Sequence, residues 1–134
     1  MNDDTIRFTV SLPKPLYTEM DTEMNEKKYQ SRSEYIRDLF RDRQVAQHWA
    51  TPQAEAMAVL TLMFDHHRKG LYEKIMQIQH DHLVQILCST HVHIDHSHCL
   101  ENVILKGNTH IILDIVHQIS ALKGVEFARL TPCS

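Results

Sequence analysis

Polar and apolar positions alternate strictly over residues 6–12. Ile6, Phe8, Val10 and Leu12 fall on one side, and Arg7, Thr9 and Ser11 on the other. A period of two built from β-branched and aromatic residues predicts a half-buried strand. Pro13 and Pro15 end it, because proline lacks the ladder N–H and restricts the residue before it. The period then lengthens. Leu16, Met20 and Met24 recur every four residues, which predicts a helix from about Pro15 to Lys28 with these three as its buried stripe. Ser31-Arg-Ser-Glu34 has the form of a capping box and predicts a second helix from near Ser31. Tyr35, Ile36, Leu39, Phe40 and Val45 supply its apolar side. The turn between the two helices, Lys27-Lys28-Tyr29-Gln30, has no glycine, so a left-handed residue in it is strained.

Trp49-Ala-Thr-Pro-Gln53 interrupts this pattern and reads as a linker over 49–55. Beyond it the periods alternate. Residues 56–65 suit a strand. Residues 66–79 suit a helix, with Leu71, Ile75 and Ile78 facing its core. Residues 83–94 and 99–106 suit two more strands, the latter broken by Lys106-Gly107-Asn108. A helix over 109–122 uses Ile112, Ile115, Val116 and Ile119, and Gly124 stops it before a last strand at 125–130. The order β-α-β-β-α-β is the ferredoxin-like plan. The predicted class is α+β, with a βαα segment at 1–48 and a ferredoxin-like domain at 56–134.

Charge changes little in this picture. The whole chain carries a formal −3 with neutral histidine, and residues 1–48 hold eight Lys/Arg against nine Asp/Glu. Any contact with nucleic acid needs a local basic face rather than bulk charge. The start of the sequence lacks an apolar signal region and no apolar run of membrane-spanning length occurs, so a cytoplasmic protein with no membrane partner is the expectation. The cysteines are three, Cys88, Cys99 and Cys133, without a CxxC pair. That points to free thiols or a thiolate ligand, not a disulfide framework.

Histidine is the outlier. Six of the eleven (His80, His82, His91, His93, His96 and His98) lie between positions 80 and 98. His91 and His93 share one face of a strand, since side chains alternate. Cys99 follows six residues later on the next strand, and cross-strand Cβ atoms lie only about 5 Å apart. His80 offers a fourth donor. Three imidazoles and a thiolate suit Ni, Cu or Zn, and residue type does not choose among them. His82, His96 and His98 are candidates for weaker extra metal sites. His66, His67, His110 and His117 read as polar surface positions. Cys88 is expected as a small buried residue of the second strand of this domain, and Cys133 as an inert thiol near a frayed end.

One strand and two helices in under 50 residues cannot enclose a core alone, and a single strand leaves both edges unpaired. Two chains pairing their strands would solve both problems. This resembles the ribbon-helix-helix family, in which a paired ribbon enters the major groove of DNA. The resemblance makes Arg7, Thr9 and Ser11 the base readers, and Arg32 and Ser33 the residues whose helix start meets phosphate. The fuller set, Arg7, Thr9, Ser11 and Ser31-Arg-Ser-Glu34-x-x-Arg37-Asp38 with Gln79-His80, Thr90-His91-Val-His93, Cys99-Leu-Glu101 and Leu105-Lys-Gly107, resembles the NikR family of nickel-responsive regulators over nearly the whole chain.

That resemblance implies one Ni(II) per chain in a planar site. Its ligands would be His91, His93 and Cys99 of one subunit and His80 of another, with Glu101 orienting a ligand. It implies a homotetramer with a central block of ACT-type domains and a DNA-binding dimer at each end. It also implies a second cation near Glu34 and Asp38, and repression of nickel-uptake genes as the usual outcome on operator DNA. Two other readings differ in class. A metalloenzyme would need an open metal position and a nearby base, for which Asp95 is the nearest candidate. A related regulator would respond to another metal or to a small ligand.

Overall fold

Residues 4–13 form no regular secondary structure in the computed structural model, which describes residues 4–134. The strand expected at 6–12 is therefore not seen as a strand, and its apolar face is open: Ile6 is 86% exposed and Phe8 69%. The physical reason is simple. A strand without a neighbour has no ladder to make.

The first helix, α1, spans Lys14–Glu26 with Pro15 in its first turn. Of its expected stripe, Met20 and Met24 are half-buried and Leu16 is exposed. Its C-terminus closes on Lys28, whose φ is 59°. The Tyr29 N–H donates to the Met24 carbonyl at 2.9 Å, and the Lys28 N–H to the Asn25 carbonyl at 3.3 Å. This is the Schellman closure that normally uses glycine, carried here by a strained lysine.

The second helix, α2, spans Arg32–Ala50, and the Glu34 N–H donates to Ser31 Oγ at 3.2 Å, making the Ser31 half of the capping box. Helix continues through positions 49 and 50, where a linker was expected. Trp49 is buried, and its Nε1–H donates to the Ser134 carbonyl at 2.8 Å. An anchored aromatic extends the helix, and the connection shrinks to residues 51–54. The chain divides into two units, one ending at Arg41 and one spanning Asp42–Ser134.

The second unit has strands β1 (Glu55–Asp65), β2 (Val84–His93), β3 (His98–Asn108) and β4 (Val125–Pro132), with helices α3 (Leu71–Asp81) and α4 (Thr109–Ser120). The sheet order is β2-β3-β1-β4, antiparallel throughout. That is the ferredoxin-like arrangement. Along β1 and β3 every second residue is buried. Leu60, Leu62, Phe64, Val103 and Leu105 meet Ile75, Ile112, Ile115 and Ile119 in one core. The Asn108 side chain accepts from the His110 N–H at 3.0 Å and starts α4.

Two boundaries differ from expectation. α3 begins at Leu71 rather than 66, because Gly70 takes a left-handed φ of 77° at its N-cap, and residues 66–70 form a turn. β3 does not break at Lys106-Gly107-Asn108. Gly107 pairs with Ala56 and Val84 inside the sheet, and a Cβ there would sit 3.0 Å from Val84 Cγ1. Its glycine serves close packing, not a turn.

Lys28 gives the first test. The left-handed conformation costs an L-residue roughly 1–2 kcal/mol, partly offset by the greater unfolded freedom of glycine. Lys28→Gly should therefore raise the chemical denaturation midpoint, with a gain of about 0.5–1 kcal/mol, while Lys28→Ala changes little.

Candidate metal centre

The hairpin of β2 and β3 sets the geometry. Val84 and Ile86 pair with Gly107 and Leu105, and then the register slips by one between Ile86 and Cys88. Beyond the slip His91 pairs with Glu101 and His93 with Cys99. Opposed residues share a face. Before the bulge Val84 and Ile86 point to the helix side with Leu105. After it the odd-numbered residues do, so His91 and His93 turn inward beside Glu101 and Cys99. Cys88 turns outward and is exposed, contrary to the buried position expected for it. Without the bulge the same ladder would set His91 opposite Leu100 and His93 opposite His98.

The inward groups are close. Cys99 is fully buried, and its Sγ lies 3.3 Å from His93 Nδ1. His91 Nδ1 lies 3.8 Å from Glu101 Oε2. Phe64 and Tyr72, stacked on each other 6.2 Å apart, both meet His91 edge-on, at 5.9 and 5.8 Å between centroids. Glu101 is 3% exposed, and its Oε2 has no hydrogen-bond partner. Burial raises the Glu101 carboxyl above its ordinary range, opposed by His91. Burial also pushes up the Cys99 thiol, helped by Glu101 and Asp95. A buried thiol and an orphaned buried carboxylate oxygen lack a countercharge. A divalent cation at the imidazole–thiol junction supplies one, and the nitrogen and sulfur donors fit Ni, Cu or Zn.

His66, read as a surface position, lies beside His93 and Cys99, while His91 falls outside their convergent group. Donor atoms of His66, His93 and Cys99 lie within 4.8 Å of one another, the convergent set among the described residues. It gets there because Gly70 delays α3 and leaves 66–70 as a turn. The His66 N–H donates to the Ser97 carbonyl at 2.9 Å, which holds that turn against the hairpin tip. The glycine was the available signal. His66 Nε2 and His67 Nε2 both approach the His96 carbonyl oxygen, at 2.6 and 2.8 Å.

The other expected donors are placed as follows. His80 is exposed in the last turn of α3 and is not among the convergent set of its own chain. His98 is held by Asp95 at 2.9 Å and Glu126 at 3.2 Å, and these two carboxylates raise its pKa, Asp95 first. His82 bonds the Ile78 carbonyl and Asp114. Asp95 also accepts from the Ser97 and His98 N–H groups, each at 2.8 Å. Those bonds build the hairpin turn and occupy the carboxylate that an enzyme would need as base. The Cys133 N–H donates to Met57 O at 2.9 Å, so that backbone is tied to β1 rather than frayed.

In the first unit Arg7, Thr9, Ser11, Arg32 and Ser33 are all exposed. The Arg32 guanidinium bonds the Tyr17 hydroxyl and lies 5.1 Å from its ring centroid. Glu34 and Asp38 line a cavity of about 300 Å³ with Tyr29, Arg37 and Arg41. Asp38 accepts there from Tyr29 Oη at 2.8 Å and Arg41 at 3.0 Å.

Residues 57–132 match the family model of the NikR C-terminal nickel-binding domain. The chain belongs to the NikR family. Proteins named as nickel-responsive regulators resemble it along nearly its whole length. The one from Campylobacter concisus is 44% identical, covering 96% of this chain and 94% of the relative. That from Helicobacter hepaticus is 41% identical, covering 100% and 98%. NikR proteins are regulators that respond to nickel, not enzymes. The fold of the second unit is shared with the ACT domain of a Chlorobium tepidum GTP pyrophosphokinase (TM-score 0.52, 13% identity, 57% of this chain and 99% of that one). Among the described residues, no helix of this NikR chain is long and apolar enough to cross a membrane.

Asp95 provides the test of the hairpin. Its backbone and His98 bonds hold its carboxyl at about 2, below the usual 3.8. A depressed folded pKa adds stability that is complete above the unfolded value and is lost as pH falls through the folded one. Thermal melts should show Asp95→Ala lowering the midpoint at pH 6, with the gap to wild type narrowing as pH falls below 4 toward 2.

Proposed function

We propose that this NikR chain couples nickel held by His91, His93 and Cys99, together with His80 of another chain, to operator binding by its N-terminal segments. The single observation that carries the reading is the inward pairing of His91 with Glu101 and His93 with Cys99. When bound, nickel(II) supplies one centre on which imidazole nitrogens and a thiolate from two chains can meet. The chain does the rest. Glu101 Oε2 lies 3.8 Å from His91 Nδ1, beyond hydrogen-bond distance; a small shift that pairs them would leave Nε2 as the donor atom. Phe64 and Tyr72 pack edge-on against that ring. His80, exposed on α3, is available to a neighbouring chain. Such sharing gives one nickel per chain, and the family resemblance implies that the ACT-type units assemble as a homotetramer.

For DNA, the reading rests on the pattern of residues 6–12. The exposed apolar residues Ile6, Phe8, Val10 and Leu12 would be covered when two chains pair these segments as an antiparallel ribbon. Arg7, Thr9 and Ser11 would then face the major groove, and Arg32 and Ser33 the phosphates. Arg32 would leave Tyr17 or bring it along. Glu34 and Asp38 remain the proposed place for a second cation, in competition with the Arg41 ion pair. The chain arrangement in which donors of two chains meet must be the one that binds operator better, since equal affinity would switch nothing. Repression of nickel uptake in the cytoplasm is the proposed outcome.

The test has two arms. Titration of the apo-protein with Ni(II) should give a thiolate-to-metal absorption band that saturates at one nickel per chain. Cys99→Ala should lose both the band and nickel-dependent operator binding. Arg7→Ala should keep the band and lose about 1–3 kcal/mol of operator affinity. A band retained in Cys99→Ala would refute the site. A response to zinc, copper or a small ligand in place of nickel would favour a regulator of another effector.

A further inference from the structure

His82 ends α3 and is mostly buried, with 16% of its side chain exposed. Its Nδ1 lies 2.6 Å from the Ile78 carbonyl oxygen, so an N–H there caps the last helical turn. Its Nε2 faces α4, 3.1 Å from Asp114 Oδ2 and 3.1 Å from Gln118 Nε2. Gln118 Nε2 lies 2.7 Å from Asp114 Oδ2. With Nδ1 donating, Nε2 either carries a proton and donates to Asp114 or keeps a lone pair that accepts from Gln118. The Gln118 amide carries two hydrogens. One serves the Asp114 carboxylate, and the other reaches His82 Nε2 when that nitrogen bears no proton.

Three side chains thus fasten the C-terminus of α3 to α4, and α4 is fixed by Ile112, Ile115 and Ile119, all fully buried. The same turn holds His80, two residues before the cap. Ile78 packs that turn against the core and Gln77 Nε2 donates to Asp81 Oδ1 at 2.6 Å within it, while the buried amide nitrogen of Gln79 has no partner.

We propose that His82, Asp114 and Gln118 form a clamp that positions His80 as a nickel donor, with Asp114 and Gln118 acting through His82 and the helix end. The proposal rests on His80 being a donor to another chain's site. It gives His82 a structural role in place of the extra metal site suggested by the histidine cluster. Asp114 and Gln118 sit on the exposed side of α4, so their replacement leaves the core untouched.

A double-mutant cycle on the full chain tests it, read by the nickel absorption band, by nickel affinity and by the melting of the apo-protein. Asp114→Ala and Gln118→Ala should each weaken nickel affinity about tenfold, the lower end for residues that orient metal ligands, and shift the band toward that of His80→Ala. Asp114→Asn, which still accepts from Gln118, should restore most of the affinity. In a His80→Ala background neither change should weaken binding further. Unchanged affinity in both single variants, or an equal loss with and without His80, would overturn the clamp. His80→Ala with wild-type nickel binding would overturn the reading of His80 itself, and the clamp with it.

Discussion

The candidate centre depends on one extra residue in one strand. Between Ile86 and Cys88 the β2–β3 ladder slips, and every residue after the slip changes face. Val84 and Ile86 face the helices before it. His91 and His93 face them after it, next to Cys99 and Glu101. Strict alternation along β2 would have turned both imidazoles to the far side of the sheet, away from the thiol. The bulge is also why Cys88 is exposed. Bulges commonly re-aim side chains beside functional sites, and here the re-aimed residues are the proposed donors.

What the bulge assembles is electrostatically incomplete. Cys99 and Glu101 are buried with no full positive charge beside them, and both are pushed toward their neutral forms. An orphaned carboxylate oxygen in a native interior calls for a reason. Nickel-binding identity and orphaned charge point the same way. In the proposed site a cation would stabilise the thiolate directly, and His91 would offer its other nitrogen to Glu101. The turn below is firm because Asp95 ties Ser97 and His98 with three separate bonds. The centre is soft in charge but stiff in backbone, a suitable condition for a sensor.

Much of this was legible in the residues. Period-two and period-four patterns predicted β1, β3, α1 and α4 to within a few residues. The capping box placed the start of α2, and HxH with the later cysteine picked out residues that the hairpin sets side by side. The misses have separate physical causes. The 6–12 pattern describes a strand that needs a neighbour, and one chain has none to offer. Trp49 prolongs α2 by burying itself, so what resembled a linker is helix. Gly70 and Gly107 look alike in sequence, yet one delays the start of α3 and the other gives Val84 room on the neighbouring strand. The bulge leaves no trace in composition, because Ile-Leu-Cys reads as uninterrupted strand. His66 was hidden behind the assumption that α3 began five residues earlier.

The claim that ties site to function is that a nickel centre borrows His80 from another chain. Mixing His80→Ala chains with Cys99→Ala chains, unfolding and refolding them together, and titrating with Ni(II) addresses it directly. Each variant alone lacks one donor in every site. Shared sites predict that the mixture recovers part of the thiolate absorption band and part of the nickel-dependent operator binding, since some sites then draw His80 from one variant and Cys99 from the other. A mixture no better than the two variants measured separately would contradict the account.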